Sequence, residues 1–236
     1  MDTRSETSQI AKLWIIVPAY NEAASVTEVV HSLRALGYSH VCVVDDGSRD
    51  ETARLALRAG ASVLRHITNL GQGAALQTGL TYALLQGAEY LCTFDADGQH
   101  SPESVTDLLA ALEQTNSDVA LGSRFLGVAA PGMPISKRLV LKIALLFTRA
   151  HARLTITDTH NGLRIFTRRA AECIKIEQPG MAHASEILQK IGAAGLRFVE
   201  VPTKIRYTKY SQRKGQSVFE SVKILLELLY QSIAMR

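Results

Sequence analysis

The sequence predicts an α/β fold in a single domain: a mostly parallel sheet with helices packed on both faces. Three observations carry that expectation. Apolar runs of a few residues alternate with stretches of helical spacing, the signature of repeated βαβ units. The runs are almost continuously apolar, as expected of strands buried on both faces. The polar groups Asn21-Glu22, Asp45-Asp46 and Asp95-Asp97 each follow such a run, and ligands in parallel sheets gather beyond the carboxyl ends of the strands.

In chain order, Leu13 to Val17 is the first strand, and it ends in Pro18-Ala19-Tyr20-Asn21-Glu22. Ser25 is expected to cap a helix with Glu28 at the capping-box position, and Gly37 to close it after about Leu36. Val41 to Val44 is the second strand, followed by Asp45-Asp46-Gly47-Ser48. Asp50 to Ala59 reads as a helix closed by Gly60, and Ser62 to Leu64 as a short third strand. Gly71-Gln72-Gly73 opens a helix reaching roughly Gln86. Tyr90 to Phe94 is a buried strand delivering Asp95 and Asp97 into a turn at Gly98. Residues i and i+2 of a strand share a side, so the two carboxylates are expected to converge. Ser101 and Pro102 are the expected cap and first position of the next helix. Asp118 to Leu121 is a further strand, leading to Gly122-Ser123-Arg124. Residues 129–134 read as a loop and Ser136 to Arg153 as a helix. Leu163 to Phe166 returns as a short strand, with helices near Arg168 to Ile174 and Ala184 to Ala194, and a last strand over Phe198 to Pro202. Val222, Leu225, Leu226, Leu229 and Ile233 fall at helical spacing near the end of the chain.

Composition narrows the function classes. The 236 residues are 47% hydrophobic and 20% charged, as in a globular protein. A net charge of +4 is too mild to indicate a nucleic-acid partner. Charge is uneven, since Lys204, Arg206, Lys209, Arg213 and Lys214 occur with no acidic residue among them. Cys42, Cys92 and Cys173 have no metal-ligand spacing and fit a reducing compartment. The start of the chain has no apolar leader core, and no run approaches the roughly 20 apolar residues that span a bilayer. A cytoplasmic location follows as an expectation, with the inner membrane surface left open.

Two carboxylates side by side resist ionisation unless a cation sits between them, and such oxygen ligands suit Mg²⁺ or Mn²⁺. The alternative for Asp95 and Asp97 is a polar turn. Asp45 and Asp46 either start a helix or accept hydrogen bonds from a base or ribose. Gly71 belongs to a Gly-rich segment that lacks the lysine of a nucleotide P-loop, so a plain helix start is favoured there. Arg124, Arg138 and Arg164 are surface cations or bidentate anion ligands. His66 and His183 read as structural or exposed, whereas His100 and His160 flank polar motifs.

Together, Ile16-Val17-Pro18-Ala19-Tyr20-Asn21-Glu22, Val43-Val44-Asp45-Asp46-Gly47-Ser48, Asp95-Ala96-Asp97-Gly98-Gln99-His100 and Gly122-Ser123-Arg124 resemble family 2 glycosyltransferases of the GT-A fold. The resemblance covers about residues 13–217. Gln99-His100, Arg138 and Asp158-Thr159-His160-Asn161-Gly162-Leu163-Arg164 make it most similar to polyprenyl-phosphate (dolichol-phosphate) sugar transferases. It implies a GT-A domain over residues 10–205, then a basic loop and amphipathic helix over 206–236. It implies a nucleotide pocket lined by Pro18, Tyr20, Glu22, Asp45, Asp46, Gly71, Asp95 and Ala96, and a metal, Mg²⁺ or Mn²⁺, on Asp95, Asp97 and Gln99. Arg124, Arg138, Arg164, Arg213, Lys214 and Ser217 would face the donor or acceptor phosphate. Asp97, Arg124, Arg138 and Asp158 would carry catalysis, with Asp158 or Glu186 as base if the acceptor were a hydroxyl.

The implied activity is an inverting, metal-dependent transfer of sugar from a UDP- or GDP-sugar to a polyprenyl phosphate. The rivals are transfer to a hydroxyl of a lipid-linked glycan during polysaccharide assembly, a catalytically silent binding subunit, and a nucleotidyltransferase. That last class would place a Gly-rich, Arg- or Lys-bearing loop where Pro18 to Glu22 stand. Two departures stand out: Gln212 replaces the arginine that dolichol-type enzymes often place three residues before Gly215, and no membrane-spanning helix follows the domain. The final helix is expected to dock on an anionic membrane or a membrane subunit, or else to pack on the domain or on a second copy in a homodimer.

Overall fold

The computed structural model describes residues 10–126, 154–159 and 161–205. The expected loop at 129–134, the helix over 136–153, His160, Arg138, the basic residues Arg213 and Lys214, Ser217 and the terminal helix lie outside the described residues.

Seven strands form one sheet: β1 (Leu13–Ala19), β2 (His40–Asp45), β3 (Ser62–Arg65), β4 (Tyr90–Thr93), β5 (Val119–Ser123), β6 (Arg164–Thr167) and β7 (Phe198–Pro202). Their order is β3-β2-β1-β4-β6-β5-β7. All pairings are parallel except those of β6, which runs antiparallel to both β4 and β5. The order of strands reverses beside β1, which has β2 on one side and β4 on the other. A crevice opens at such a switch point because successive crossovers leave in opposite directions.

Six described helices cover the sheet: α1 (Val26–Ala35), α2 (Thr52–Arg58), α3 (Gln72–Leu85), α4 (Glu103–Gln114), α5 (Arg168–Cys173) and α6 (His183–Ala193). The alternation of side chains along β1 serves both faces. Leu13, Ile15 and Val17 pack with Val30 and Leu33 of α1, Ala56 of α2 and Leu108 of α4. Trp14 and Ile16 pack with Leu76 and Leu80 of α3, Ala170 of α5 and Ile187 of α6. This two-sided burial is why the central residues of β1, β2 and β4 are apolar on both faces.

Three local expectations are corrected. Ser25 precedes α1 but caps no backbone N–H; its hydroxyl donates to the Glu22 carboxylate at 2.9 Å, while Val26 N–H bonds to the Glu22 carbonyl. Ser101 likewise donates to the Glu103 carboxylate rather than capping α4. In both cases a nearby carboxylate is a stronger acceptor for the hydroxyl than a backbone amide is a donor to it. β4 ends at Thr93, so Asp95 and Asp97 lie in the following loop and strand alternation does not bring them together.

Pro18 is tolerated in a central strand for a related reason. β2 still pairs alongside Pro18, but β4 pairs with β1 only as far as Thr93 opposite Ile16, so the missing N–H of Pro18 costs no bond to β4. The gap beyond it becomes the cleft.

α3 lies close on β1 because Gly79 has no side chain; a Cβ there would press into the Ile16 side chain and reach the Val44 methyl. Gly79→Ala gains helix propensity of about 1 kcal/mol but overpacks a buried contact at a cost of about 1–3 kcal/mol. The expected result is a net destabilisation of up to about 2 kcal/mol by urea unfolding; a stabilised variant would show that α3 can shift without penalty.

Candidate active site

The cleft at the carboxyl ends of β1, β2 and β4 encloses about 350 Å³ and is lined by Pro18, Tyr20, Glu22, Asp46, Gly71, Gln72, Asp95, Ala96, Asp97 and Met181, among others. Eight residues expected in a nucleotide or metal site from sequence therefore line one cleft: Pro18, Tyr20, Glu22, Asp46, Gly71, Asp95, Ala96 and Asp97.

The turn after β1 is stitched to the loop after β2. Asn21 N–H donates to the Ser48 hydroxyl, Glu22 N–H to the Thr52 hydroxyl and Ala23 N–H to the Asp50 carboxylate. Asn21 takes a positive φ of 53°, a conformation Asn tolerates better than most residues. Glu22 is thereby fixed at the cleft edge.

The two aspartates after β2 have different roles. Asp45 is fully buried and accepts Ser48 N–H at 3.0 Å. Its other oxygen forms an ion pair with Arg65 at 3.0 Å that lacks hydrogen-bond geometry. Asp45 shapes the turn and is not among the lining residues of the cleft, which corrects the expectation that it lines the pocket. Asp46 reaches the cleft, and accepts Leu70 N–H at 2.9 Å, Gly71 N–H at 2.7 Å and a His66 nitrogen at 2.7 Å.

Gly71 and Gly73 serve a close backbone approach. A Cβ at Gly71 would strike the Pro179 carbonyl, and one at Gly73 would strike the Gln178 carbonyl. Gly73 N–H donates to the Pro179 carbonyl at 2.7 Å, so the first turn of α3 is capped by a protein carbonyl and not left open for phosphate. The segment that does this, residues 176–182, was not identified from sequence as part of the site. Glu186 holds it, accepting N–H donors from Glu177 and Gln178 at 2.9 Å each, with Lys190 at 2.9 Å. His183 adds a ring N–H to the Gly180 carbonyl at 2.8 Å. Gly180 and Met181 then close the cleft wall. The signal available in the sequence was Pro179-Gly180, a turn dipeptide just before a helix.

Asp95 sits at the centre. One oxygen receives the His100 ring Nε2–H at 3.0 Å and the other the Gln72 side-chain amide at 3.2 Å. Gly162 lies so close that a Cβ would overlap both Asp95 oxygens. Burial by itself would raise this carboxyl; the His100 hydrogen bond first, and then the nearby His100, His183 and Arg164 side chains, outweigh it, so Asp95 stays below the usual carboxylate range. Burial pushes His183 down to about 4, which leaves Arg164 as the permanent cation beneath the site. Asp97 behaves oppositely: burial, then the Asp95 charge, push it up to about 6 despite a hydrogen bond from Gln99 N–H.

Other expected positions depart from the cleft. Arg164 is 4% exposed and donates to the Thr159 and Ala184 carbonyls; it is a buried counter-charge and not a surface ligand for phosphate. Burial lowers it to about 10, against the pull of Asp158 and Asp95, so it remains charged at neutral pH. Asp158 is gripped by Arg124 through Nε and Nη2, both at 2.7 Å, and by Arg124 N–H at 3.0 Å. A buried carboxylate with these donors is a poor proton acceptor, which argues against the base role expected for it. Glu186 is likewise occupied, by two backbone N–H groups and Lys190. Gln99 contributes its backbone N–H to Asp97 and is not among the lining residues of the cleft.

No group of three or more His, Cys, Asp or Glu able to hold a metal occurs among the described residues. A pair of carboxylates fits a hard cation that keeps water and takes further oxygens from substrate phosphates, the habit of Mg²⁺. The raised Asp97 carboxyl beside an ionised Asp95 is the charge conflict that such an ion would relieve.

The family model described as Glycosyl transferase family 2 matches residues 14–175. The chain is 30% identical over 238 residues to a UDP-N-acetylglucosamine–dolichyl-phosphate N-acetylglucosaminyltransferase of Methanococcus voltae, covering 92% of this chain and 94% of that protein. It is 34% identical over 219 residues to an undecaprenyl-phosphate mannosyltransferase of Micrococcus luteus, covering 88% and 89% respectively. Among solved structures it is similar to glucosyl-3-phosphoglycerate synthase from Mycobacterium tuberculosis in complex with Mn²⁺, UDP-glucose and phosphoglyceric acid. That similarity has a TM-score of 0.71 at 19% identity and covers 97% of this chain and 84% of the other.

Two outcomes test this geometry. Gly162→Ala should press on the Asp95 carboxylate and destabilise the fold by about 1–3 kcal/mol in urea unfolding; unchanged stability would mean Asp95 has room to move. For Asp97, the folded carboxyl titrates at about 6 against 3.8 for the ordinary group. Its contribution is therefore present below pH ~4 and lost as pH rises through about 6. In metal-free protein, Asp97→Asn should raise Tm at pH 7.5 and give little gain at pH 4. A Tm gain of equal size at both pH values would contradict the assignment.

Proposed function

The chain belongs to glycosyl transferase family 2 and has the GT-A fold; from that premise we propose that it transfers a sugar from a nucleotide-sugar donor to a polyprenyl phosphate, with inversion and with Mg²⁺ or Mn²⁺. In this reading the nucleoside lies along Pro18, Tyr20, Glu22 and Asp46, and the diphosphate lies against Asp95 and Asp97. A divalent ion on Asp97, with Asp95 and Gln99 completing its protein ligands, would supply positive charge to the departing nucleoside diphosphate.

The residues themselves do the rest. Gln72 and His100 hold Asp95 so that its charge faces the cleft, and Gly162 lets it lie that low. Gly180 and Met181 exclude water from one side of the bound donor. Arg138, Arg213, Lys214 and Ser217 remain proposed ligands of the acceptor phosphate, and Arg124 is proposed to hold Asp158 in place.

One observation favours a phosphate over a hydroxyl acceptor. Both carboxylates considered as bases, Asp158 and Glu186, are engaged by cations and backbone N–H groups. A hydroxyl needs a base to become a competent nucleophile, whereas a phosphate oxygen is already anionic. The names of the relatives, which include dolichyl- and undecaprenyl-phosphate transferases, support the same acceptor class.

The test is to incubate the full chain with UDP- and GDP-sugars, Mn²⁺ and a short polyprenyl phosphate, and to follow the lipid by mass spectrometry. The expected product is the polyprenyl phosphate carrying one added sugar, lost on addition of EDTA and in Asp97→Ala. Transfer only to a lipid-linked glycan hydroxyl would replace this acceptor with the rival one. No metal-dependent turnover or binding of any nucleotide sugar would favour a silent binding subunit.

A further inference from the structure

The base end of the cleft contains a side-chain relay that the proposed transfer does not by itself require. His66 follows β3, and its ring joins two elements: Nδ1 lies 2.7 Å from Asp46 Oδ1 and Nε2 lies 3.0 Å from the Thr78 hydroxyl on α3. A carboxylate only accepts, so Nδ1 carries a proton and donates to Asp46, while Nε2 and the Thr78 hydroxyl share the second hydrogen bond. The ring is almost wholly covered, and His66 N–H is itself tied to the Asp45 carbonyl at 2.9 Å. The imidazole therefore has one orientation, with Nδ1–H on Asp46.

The consequence falls on Asp46. A carboxylate offers about four lone-pair positions. Oδ1 accepts His66 and Leu70 N–H, and Oδ2 accepts Gly71 N–H. One position is left, on Oδ2. Asp46 lines the cleft yet is only 2% exposed, room for a single incoming donor.

We propose that this end of the cleft selects uracil over guanine, and that His66 sets the choice by filling the second acceptor position that guanine would need. The proposal rests on the nucleotide-donor reading above. Uracil presents one ring N–H between two carbonyls. Asp46 accepts that N–H, and Asn69, which also lines the cleft, supplies an amide donor for a carbonyl. Guanine presents two adjacent donors, a ring N–H and an amino group, whose natural partner is a carboxylate with both oxygens open. Against Asp46 one of them would lose water without gaining a partner, a recurrent source of strong discrimination at polar sites. Cytosine carries a lone pair where uracil carries its N–H and would meet the carboxylate repulsively. His66 is thus a positioning residue for specificity and does not touch the reacting atoms.

The experiment is calorimetric titration of the full chain, with Mn²⁺, by UDP, GDP and CDP. UDP is expected to bind at least about tenfold more tightly than either. In His66→Leu the UDP affinity should fall about tenfold and the UDP-to-GDP ratio should shrink to within about threefold. His66→Asn, whose amide N–H can stand where Nδ1 stands, should restore most of the ratio, an outcome that a merely structural role would not give. If His66→Leu does not fold, Thr78→Val removes the hydroxyl that anchors the far side of the ring and should lower the ratio in the same direction. GDP binding as tightly as UDP to the unaltered chain, or an unchanged ratio in His66→Leu, overturns the inference and leaves the donor reading standing. Binding of no nucleotide at all overturns both.

Discussion

The buried charge of Asp95 is the constraint on which the site depends. A carboxylate placed this low in the crevice would ordinarily protonate; it stays ionised because His100 and Gln72 each bond one oxygen and Arg164 lies below. Each of those supports comes from a different part of the chain. His100 follows β4, Gln72 begins α3, and Arg164 begins the antiparallel β6. The Asp95 loop thus ties the parallel half of the sheet to the reversed strand beside it. Its ionisation in turn pushes the Asp97 carboxyl up, making it the group that a cation, or a proton, would relieve.

The same economy of space governs the other wall. Gly71, Gly73 and Gly162 are small because a carbonyl or a carboxylate occupies the volume a side chain would take. At the first two positions the occupant is the backbone of residues 178–179, secured by Glu186 and His183. A Gly-rich start of a helix can bind phosphate through its free N–H groups; here a protein carbonyl takes that place, and the anion-binding task shifts to the aspartate loop. Glu186 and Asp158, attractive as bases when read as isolated carboxylates, hold backbone and arginine in position instead.

Much of this was legible beforehand. The strand positions of β1, β2, β4 and β5 follow from short runs whose two-sided burial leaves little alternative, and Gly37 and Gly60 mark helix ends through their positive φ of 89° and 92°. Pro18, Tyr20, Glu22, Asp46, Asp95, Ala96 and Asp97 were readable as one site because parallel strands carry their following loops to a common edge. The roles of the paired aspartates were harder. Asp45 and Asp46 are adjacent and chemically identical, yet one turns inward to Ser48 and Arg65 and the other reaches the cleft. Nothing local distinguishes them.

What the sequence determined by itself was the α/β architecture, the family, and the edge of the sheet where chemistry gathers, since these depend on hydrophobic period and on motifs local in the chain. The tertiary structure alone decided which charged groups are free to act. Arg164, Asp158 and Glu186 are withdrawn by partners that lie in other loops or on other turns, and His66 is drawn in by Thr78 and Asp46. Long-range pairing of this kind has no local signature, because a hydrogen-bond partner many residues away leaves the composition around either residue unchanged.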